Sequence, residues 1–160
     1  MLLVLIAVAA TTVSRQRVTD LSGQIRTTLR PAQSAAATLA KAYVDMETGL
    51  RGYQLAGTAQ LLQPYDDGRA AVMATGKRLR TLLAGDPAGT KLLTSVDRVA
   101  ADWDRTVAGP ALRGAHTVGL ADKARFDSLR GLLASLQEHI DRRTAAVIQS
   151  WTSAQSAATW

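Results

Sequence analysis

The sequence predicts an all-α fold, an elongated up-down-up-down four-helix bundle whose first and last helices are the longest. The composition favours helix, because Ala, Leu, Arg and Gln fill long stretches, with only 4 prolines and 4% aromatic residues. Apolar residues recur in steps of three and four along four stretches, which is typical of helices that bury one face. Glycine- and proline-containing breaks separate these stretches. With 160 residues, 47% of them hydrophobic, the chain is large enough for one domain with its own core.

The first helix is expected over about residues 15–56. Its apolar or small positions are Val18, Leu21, Ile25, Leu29, Ala32, Ala36, Leu39, Tyr43, Met46, Leu50 and Tyr53. From Val18 to Leu55 such a helix measures about 57 Å at 1.5 Å per residue. Pro31 is expected to bend it or to mark a boundary, so that the part before Pro31 is a stalk. Gly57 is expected to end the helix.

Two shorter helices are expected over about residues 62–84 and 90–108. The stripe of the second helix is Tyr65, Val72, Met73, Leu79, Leu82 and Leu83, and the turn sequence Gly85-Asp86-Pro87-Ala88-Gly89 follows it. Thr90 is expected to cap the third helix, and Gly109-Pro110 to close it. Its inward-facing residues are predicted to be Leu93, Val96, Val99, Trp103 and Val107.

The last helix, expected over about residues 120–151, carries the most regular pattern. Phe126, Leu133, Ile140 and Val147 are seven residues apart, with Leu129 and Leu136 between them. This heptad seam is typical of antiparallel bundles that cross near 20° and of contacts between subunits. We therefore expect a bundle that also forms a parallel homodimer.

Both ends of the chain have membrane-like features. Residues 1–14 begin MLLVLIAVAATTV, an uncharged run followed by Arg15 and Arg17. The run is shorter than the roughly 20 residues that cross a bilayer, and no basic stretch precedes it as in a signal peptide. We interpret it as the outer part of a transmembrane helix, the alternative being a buried helix end. Residues 152–160 are interpreted as a juxtamembrane segment before a second membrane helix, because Trp151 and Trp160 have rings that suit a bilayer interface.

A motif between Asp45 and Tyr65 reads DMETGLRGYQLAGTAQLLQPY. It resembles the signature of the third class of CHASE domains, which are sensory extracellular modules associated with cyclases and histidine kinases. The matching positions are Glu47, Gly49, Arg51, Gly52, Tyr53, Leu55, Gly57, Leu62 and Tyr65. Phe126-Asp127-Ser128-Leu129-Arg130, Glu138 and the Arg142-Arg143 pair look like the final helix of that family. The resemblance implies a periplasmic or extracellular four-helix bundle between two membrane helices, upstream of a cytoplasmic kinase, cyclase, phosphatase or chemotaxis-type module.

The motif has a structural and a ligand-binding interpretation, and both stay open. In the structural one, Glu47, Gly49, Arg51, Gly52, Tyr53 and Gly57 join the top of the first helix to the following crossing. Glu47 precedes Arg51 by four residues, the favourable order for a helical ion pair, and a glycine inside a helix suits a close approach of another backbone. In the other interpretation, Arg51, Tyr53, Gln54 and Tyr65 bind a small polar or anionic ligand.

Several function classes are disfavoured. The net charge of +6 comes from arginines scattered among acidic residues, which indicates solvated helix faces and no nucleic-acid site. The chain has no cysteine, and His116 has no second histidine or carboxylate at metal-ligand spacing. His139 lacks the directly following acidic residue and the later proline of a kinase phosphoacceptor histidine, so we expect it to be a partly exposed bundle residue. We therefore expect no metal, no cofactor and no catalytic residues, so that the chain itself is not an enzyme.

The sequence thus predicts the extracytoplasmic input domain of a bacterial receptor in the cell membrane, in the first place a two-component histidine kinase. Relative movement of the first and last helices would transmit the signal. One alternative is a passive bundle that dimerises a receptor, including the diguanylate cyclase and chemoreceptor types, or binds a partner protein. Another is a basic amphipathic bundle that lies on anionic lipid.

Overall fold

The computed structural model describes residues 1–115 and 119–157, which form four helical rods. The first rod consists of α1 (Leu2–Gln24), a π-turn (Ile25–Leu29) and α2 (Arg30–Ala56), and the 3₁₀ turn Ala59–Leu62 leads to α3 (Gln63–Leu82). The third rod consists of α4 (Pro87–Trp103), a π-turn (Asp104–Ala108) and α5 (Gly109–Leu112), and the last is α6 (Leu120–Ala157). No strand occurs in these ranges, and the predicted all-α class is confirmed.

The rods run up, down, up and down. α2 packs against α3 and α6, and α4 packs against α6. Gln33 Nε2 near the start of α2 donates to Asp141 Oδ1 at 2.7 Å, and Glu47 farther along α2 accepts from Arg130, which comes earlier in α6. These two contacts show that α2 and α6 are antiparallel. The 38 residues of α6 span about 57 Å at 1.5 Å per residue, so the elongated bundle with long outer helices is also confirmed.

The core is continuous along the bundle, and the seam of α6 lies at its centre. Phe126, Leu129, Leu133, Leu136 and Ile140 are each at most 4% exposed. Burial of one such side chain contributes roughly 1.5–3 kcal/mol. Each is therefore expected to be costly to truncate.

A proline lies two residues after the end of each π-turn. Pro31 follows the turn Ile25–Leu29, and Pro110 follows the turn Asp104–Ala108. Proline lacks an N–H and its ring collides with the carbonyl four residues earlier in an α-helix, whereas the wider π-turn relieves both conflicts. Pro31 thus marks a boundary, as predicted. The prediction that Gly109-Pro110 closes the third helix is wrong, because that helix continues to Leu112.

The third helix also begins earlier than predicted. Asp86 and not Thr90 is its N-cap, since the Asp86 carboxylate accepts a hydrogen bond from the Gly89 N–H at 3.0 Å and Pro87 occupies the first turn. The Thr90 hydroxyl instead donates to the Leu83 carbonyl. On α3, the prediction that Met73 faces inward is wrong, because its side chain is 71% exposed.

The two ends carry further predictions. Within the described part of the chain, no helix has both the length and the apolar character needed to cross a membrane. α6 continues past Trp151 to Ala157. The predictions about Trp160 and His116 concern positions outside the described residues.

Candidate functional site

The carboxylate of Glu47 lies between two arginines of different helices. Glu47 is 8% exposed on α2 and pairs with Arg51 of the same helix, Oε1 to guanidinium at 2.6 Å. Its other oxygen accepts from Arg130 of α6 at 3.5 Å. The two sequence segments that carried the family resemblance therefore meet at one ion-pair cluster.

Aromatic rings extend this contact to α4. The guanidinium of Arg130 lies 5.1 Å from the centroid of the Phe126 ring, within the range of a cation–π interaction. The Phe126 ring in turn packs against Trp103 of α4, with centroids 5.5 Å apart and planes inclined by 54°. This series of contacts therefore connects α2, α6 and α4 through Glu47, Arg130, Phe126 and Trp103.

Glycines allow α3 to lie very close to α2. A Cβ added at Gly49 would be 2.7 Å from the Tyr65 amide nitrogen and 3.1 Å from the Leu61 carbonyl oxygen. A Cβ at Gly68 would be 2.6 Å from the Ala42 carbonyl oxygen. Distances of this kind exclude any side chain larger than hydrogen, so the two backbones touch at both positions.

The remaining glycines of the motif differ from each other. Gly52 faces the side chain of Leu61, and a Cβ there would lie at an ordinary contact distance of 3.5 Å. Gly57 caps α2 in the left-handed conformation, with φ of 69°, and its N–H donates to the Tyr53 carbonyl at 2.8 Å. Gly57 therefore ends the first rod, as its sequence position predicted.

The four predicted ligand-binding residues do not form one site. Arg51 and Gln54 line a cavity of about 40 Å³ together with Glu47. Such a volume holds about one water molecule, at roughly 30 Å³ each, and is far below the roughly 300–1,000 Å³ of small-molecule sites. Tyr53 does not line this cavity, and Tyr65 is only 2% exposed and points elsewhere.

Tyr65 connects α3 to the π-turn after α4. Its hydroxyl donates to Asp104 Oδ1 at 3.3 Å. Burial of the ring, followed by the nearby Asp104 charge and this hydrogen bond, raises the pKa of Tyr65 to about 12. The hydroxyl therefore stays protonated and serves as a donor.

A second polar cluster lies at the opposite end of the bundle, around Asp86. This carboxylate is 5% exposed, and its Oδ2 atom lies 2.8 Å from His139 Nε2 and 2.6 Å from the guanidinium of Arg143. Burial opposes ionisation, but hydrogen bonds from Gly89, His139 and Arg143 outweigh it and hold the pKa of Asp86 below its usual value. The α3–α4 turn is thereby fastened to α6.

Sequence reasoning missed this cluster. Asp86 was recognised only as part of a turn, and His139 was expected only to be a partly exposed residue of the bundle. The one available signal was the N-cap pattern of Asp86 before Pro87, which indicates a carboxylate held at a helix start. Nothing in that pattern indicates partners more than 50 residues away.

No group of three or more His, Asp or Glu side chains that could hold a metal is found in residues 1–115 and 119–157. The CHASE3 domain family matches the chain over residues 22–150. The chain belongs to the CHASE3 family. CHASE3 domains are extracellular sensory modules of membrane receptors and are not catalytic, so this chain is a sensory domain of the extracytoplasmic side.

The CHASE3 match includes both polar clusters and excludes most of α1. No curated protein and no solved structure shows significant similarity to the chain.

Proposed function

We propose that this CHASE3 domain is the input module of a bacterial membrane receptor, in the first place a two-component histidine kinase. In this proposal residues 1–14 belong to a membrane helix, and residues 152–160 lead to a second one. Movement of α6 relative to α1 carries the signal through the membrane. The observation that carries the proposal is a contrast in packing. The bundle is tightly packed, whereas α1 and the part of α6 beside it, which we call the outer helices, are loosely packed.

The loose packing is visible where α1 lies beside α6. A cleft of about 620 Å³ opens beside the contact between the two helices, lined by Arg17, Asp20, Leu21, Gln149, Ser150, Ser153 and Ala154. None of the described α1 side chains between residues 12 and 24 is buried. Segments with few buried contacts move at the lowest free-energy cost, so this pair of helices is suited to sliding or rotation.

The Asp86 cluster supplies a connection from the bundle to these outer helices. It joins the α3–α4 turn to α6 at Arg143, close to the Gln33–Asp141 hydrogen bond between α2 and α6. A change in the position of α3 and α4 would therefore act on α6 just before it leaves the bundle.

We further propose a parallel homodimer through the outer helices. Val13 of α1 and Ile148 of α6 are 57% and 40% exposed, which leaves apolar side chains available on both helices. Sedimentation of the purified chain over a range of concentrations tests this. A monomer at every concentration would contradict the dimer.

The signalling proposal is tested in a chimera that joins this chain, with both membrane helices, to a reporter histidine kinase. One alanine inserted after Ala157 rotates everything that follows by about 100° while leaving the bundle contacts unchanged. Seven inserted residues restore the helical phase almost completely, which provides a matched control. We expect the single insertion to change kinase output and the heptad insertion to restore it.

Equal output from all three chimeras would contradict helix-borne signalling. If the chimera still dimerised in that case, the result would favour the passive dimerisation module.

A further inference from the structure

A groove of about 200 Å³ opens on the side of the bundle between α2, α3 and α4. Its polar lining is formed by Tyr43, Arg69, Asp97 and Asp104, and its apolar floor includes Met46, Val72, Ala100 and Trp103. The volume corresponds to about seven water molecules at roughly 30 Å³ each, which is room for a solute with a similar number of non-hydrogen atoms. It is distinct from the cavity beside Arg51.

Three polar groups of the groove have bonding capacity left. Tyr43 lines the groove with a ring that is mostly buried, and its solvent-accessible hydroxyl has no hydrogen bond to another side chain or backbone group within residues 1–115 and 119–157. Arg69 forms no ion pair within residues 1–115 and 119–157. Asp104 accepts only the Tyr65 hydroxyl there, at 3.3 Å.

Asp97 differs from these groups because Arg80 already pairs with it at 2.6 Å. Burial, followed by the charge of Asp97, raises the pKa of Tyr43 to about 12, so the hydroxyl stays neutral. The hydroxyl oxygen itself is open to solvent at the groove, so water or a solute can complete its hydrogen bond.

The remaining capacity is complementary to a small zwitterion. A purely anionic ligand would meet the carboxylates of Asp97 and Asp104, and a purely cationic one would meet Arg69 without a counter-charge. A ligand with both charges satisfies Asp104 and Arg69 together, and a short aliphatic side chain fits the apolar floor.

We propose that the groove binds a small aliphatic α-amino acid, with its ammonium on Asp104 and its carboxylate on Arg69 and the Tyr43 hydroxyl. The binding of this ligand does not depend on the proposed function. Its role as the stimulus of the receptor does. Trp103 forms part of the floor, and its ring packs on the Phe126 ring of α6 with centroids 5.5 Å apart. A ligand in the groove is therefore separated from α6 by one side chain.

Saturation-transfer NMR and calorimetric titration of the purified 160-residue chain test the binding. The probes are glycine, L-alanine, L-valine and L-leucine at up to millimolar concentration. Isobutylamine and isovalerate, which are valine without its carboxylate and without its amine, are the matched controls. We expect at least one of the amino acids to bind, and both single-charge analogues to bind at least tenfold more weakly.

Variants assign the site. Arg69→Gln should weaken binding about tenfold or more and Tyr43→Phe about fivefold, corresponding to the loss of a charged and of a neutral hydrogen bond. Arg78→Gln on the same helix and Tyr53→Phe outside the groove should bind as the wild type does. Circular dichroism of each variant checks that it is folded.

The proposal is overturned if a folded chain binds none of the four amino acids, if the single-charge analogues bind equally well, or if Arg69→Gln and Tyr43→Phe leave affinity unchanged. The phase insertions after Ala157 separate this result from the signalling proposal. Output that follows helical phase without amino-acid binding would overturn only the ligand, and binding without any effect of phase would overturn only the helix-borne signal.

Discussion

Replacing Asp86 by alanine should lower the free energy of unfolding by about 3 kcal/mol. Loss of the N-cap that Asp86 provides to the Gly89 N–H costs about 1 kcal/mol. Loss of its contacts with His139 and Arg143 adds roughly 2 kcal/mol, toward the lower end for charged hydrogen bonds because Arg143 is 32% exposed on its side chain. For a chain of this size the melting temperature should fall by about 6–12 °C.

Asp86→Asn separates these two contributions. Asparagine caps a helix about as well as aspartate, so this variant should lose only the charge-dependent part, about 1–2 kcal/mol. The matched control is Asp45→Asn, which removes an exposed pair with Lys41 of the same 2.6 Å length and should cost at most about 0.5 kcal/mol. Urea unfolding followed by circular dichroism measures all three variants.

The pH dependence of stability provides a second readout. Because the pKa of Asp86 is lower in the folded chain than its ordinary value of 3.8, folding favours the ionised form. Its contribution is fully present above the unfolded pKa and is lost as the pH falls below 3.8 through the folded pKa. Wild type and Asp86→Asn should therefore converge in stability at acid pH. Equal stability of the two proteins at neutral pH, or a gap that persists in acid, would refute the assignment.

Three further outcomes follow from the packing. Gly68→Ala should destabilise the chain by about 1–3 kcal/mol in urea unfolding, since its Cβ would meet a backbone carbonyl at 2.6 Å. Gly131→Ala, whose Cβ would have nothing within 4 Å, should stabilise α6 by up to about 1 kcal/mol. Equal effects of the two substitutions would argue against the close helix contact. Ultraviolet titration should find that two tyrosines, Tyr43 and Tyr65, have a pKa of about 12. The free energy of unfolding should fall between pH 10 and 12, because the folded state retains the protons of both hydroxyls. If Tyr43→Phe and Tyr65→Phe both left the high-pKa titration unchanged, the assignment would be wrong. Glu47→Gln should cost about 1–2 kcal/mol in thermal unfolding, and a neutral result would mean that its two arginines gain nothing from the charge.

The sequence was most informative where the cause of structure is local. The seam of Phe126, Leu133 and Ile140 is buried as predicted, because a seven-residue repeat places its members on one face whatever the neighbouring helices are. Gly57 ends its helix for the same reason, since the left-handed conformation is a property of that position alone.

Long-range contacts could not be predicted in this way. The partners of Asp86 are 53 and 57 residues away, and no local pattern specifies which turn meets which helix face. Pro110 was misinterpreted because proline normally ends a helix, and the π-turn that accommodates it has no recognised sequence signature. The four predicted ligand residues were close in sequence, but the inward direction of Tyr65 moved its hydroxyl to another side of the bundle.

The π-turn at Ile25–Leu29 affects how receptor chimeras of this domain must be constructed. A π-turn contains one residue more than the α-turn in its place, and each residue corresponds to about 100° around the helix axis. A fusion joint placed before Ile25 retains the additional residue, whereas a joint placed after Leu29 omits it. In two such chimeras the bundles would be identical, but the helix before the joint would be rotated by about 100° relative to the second membrane helix. Their outputs would therefore differ although every bundle contact is the same.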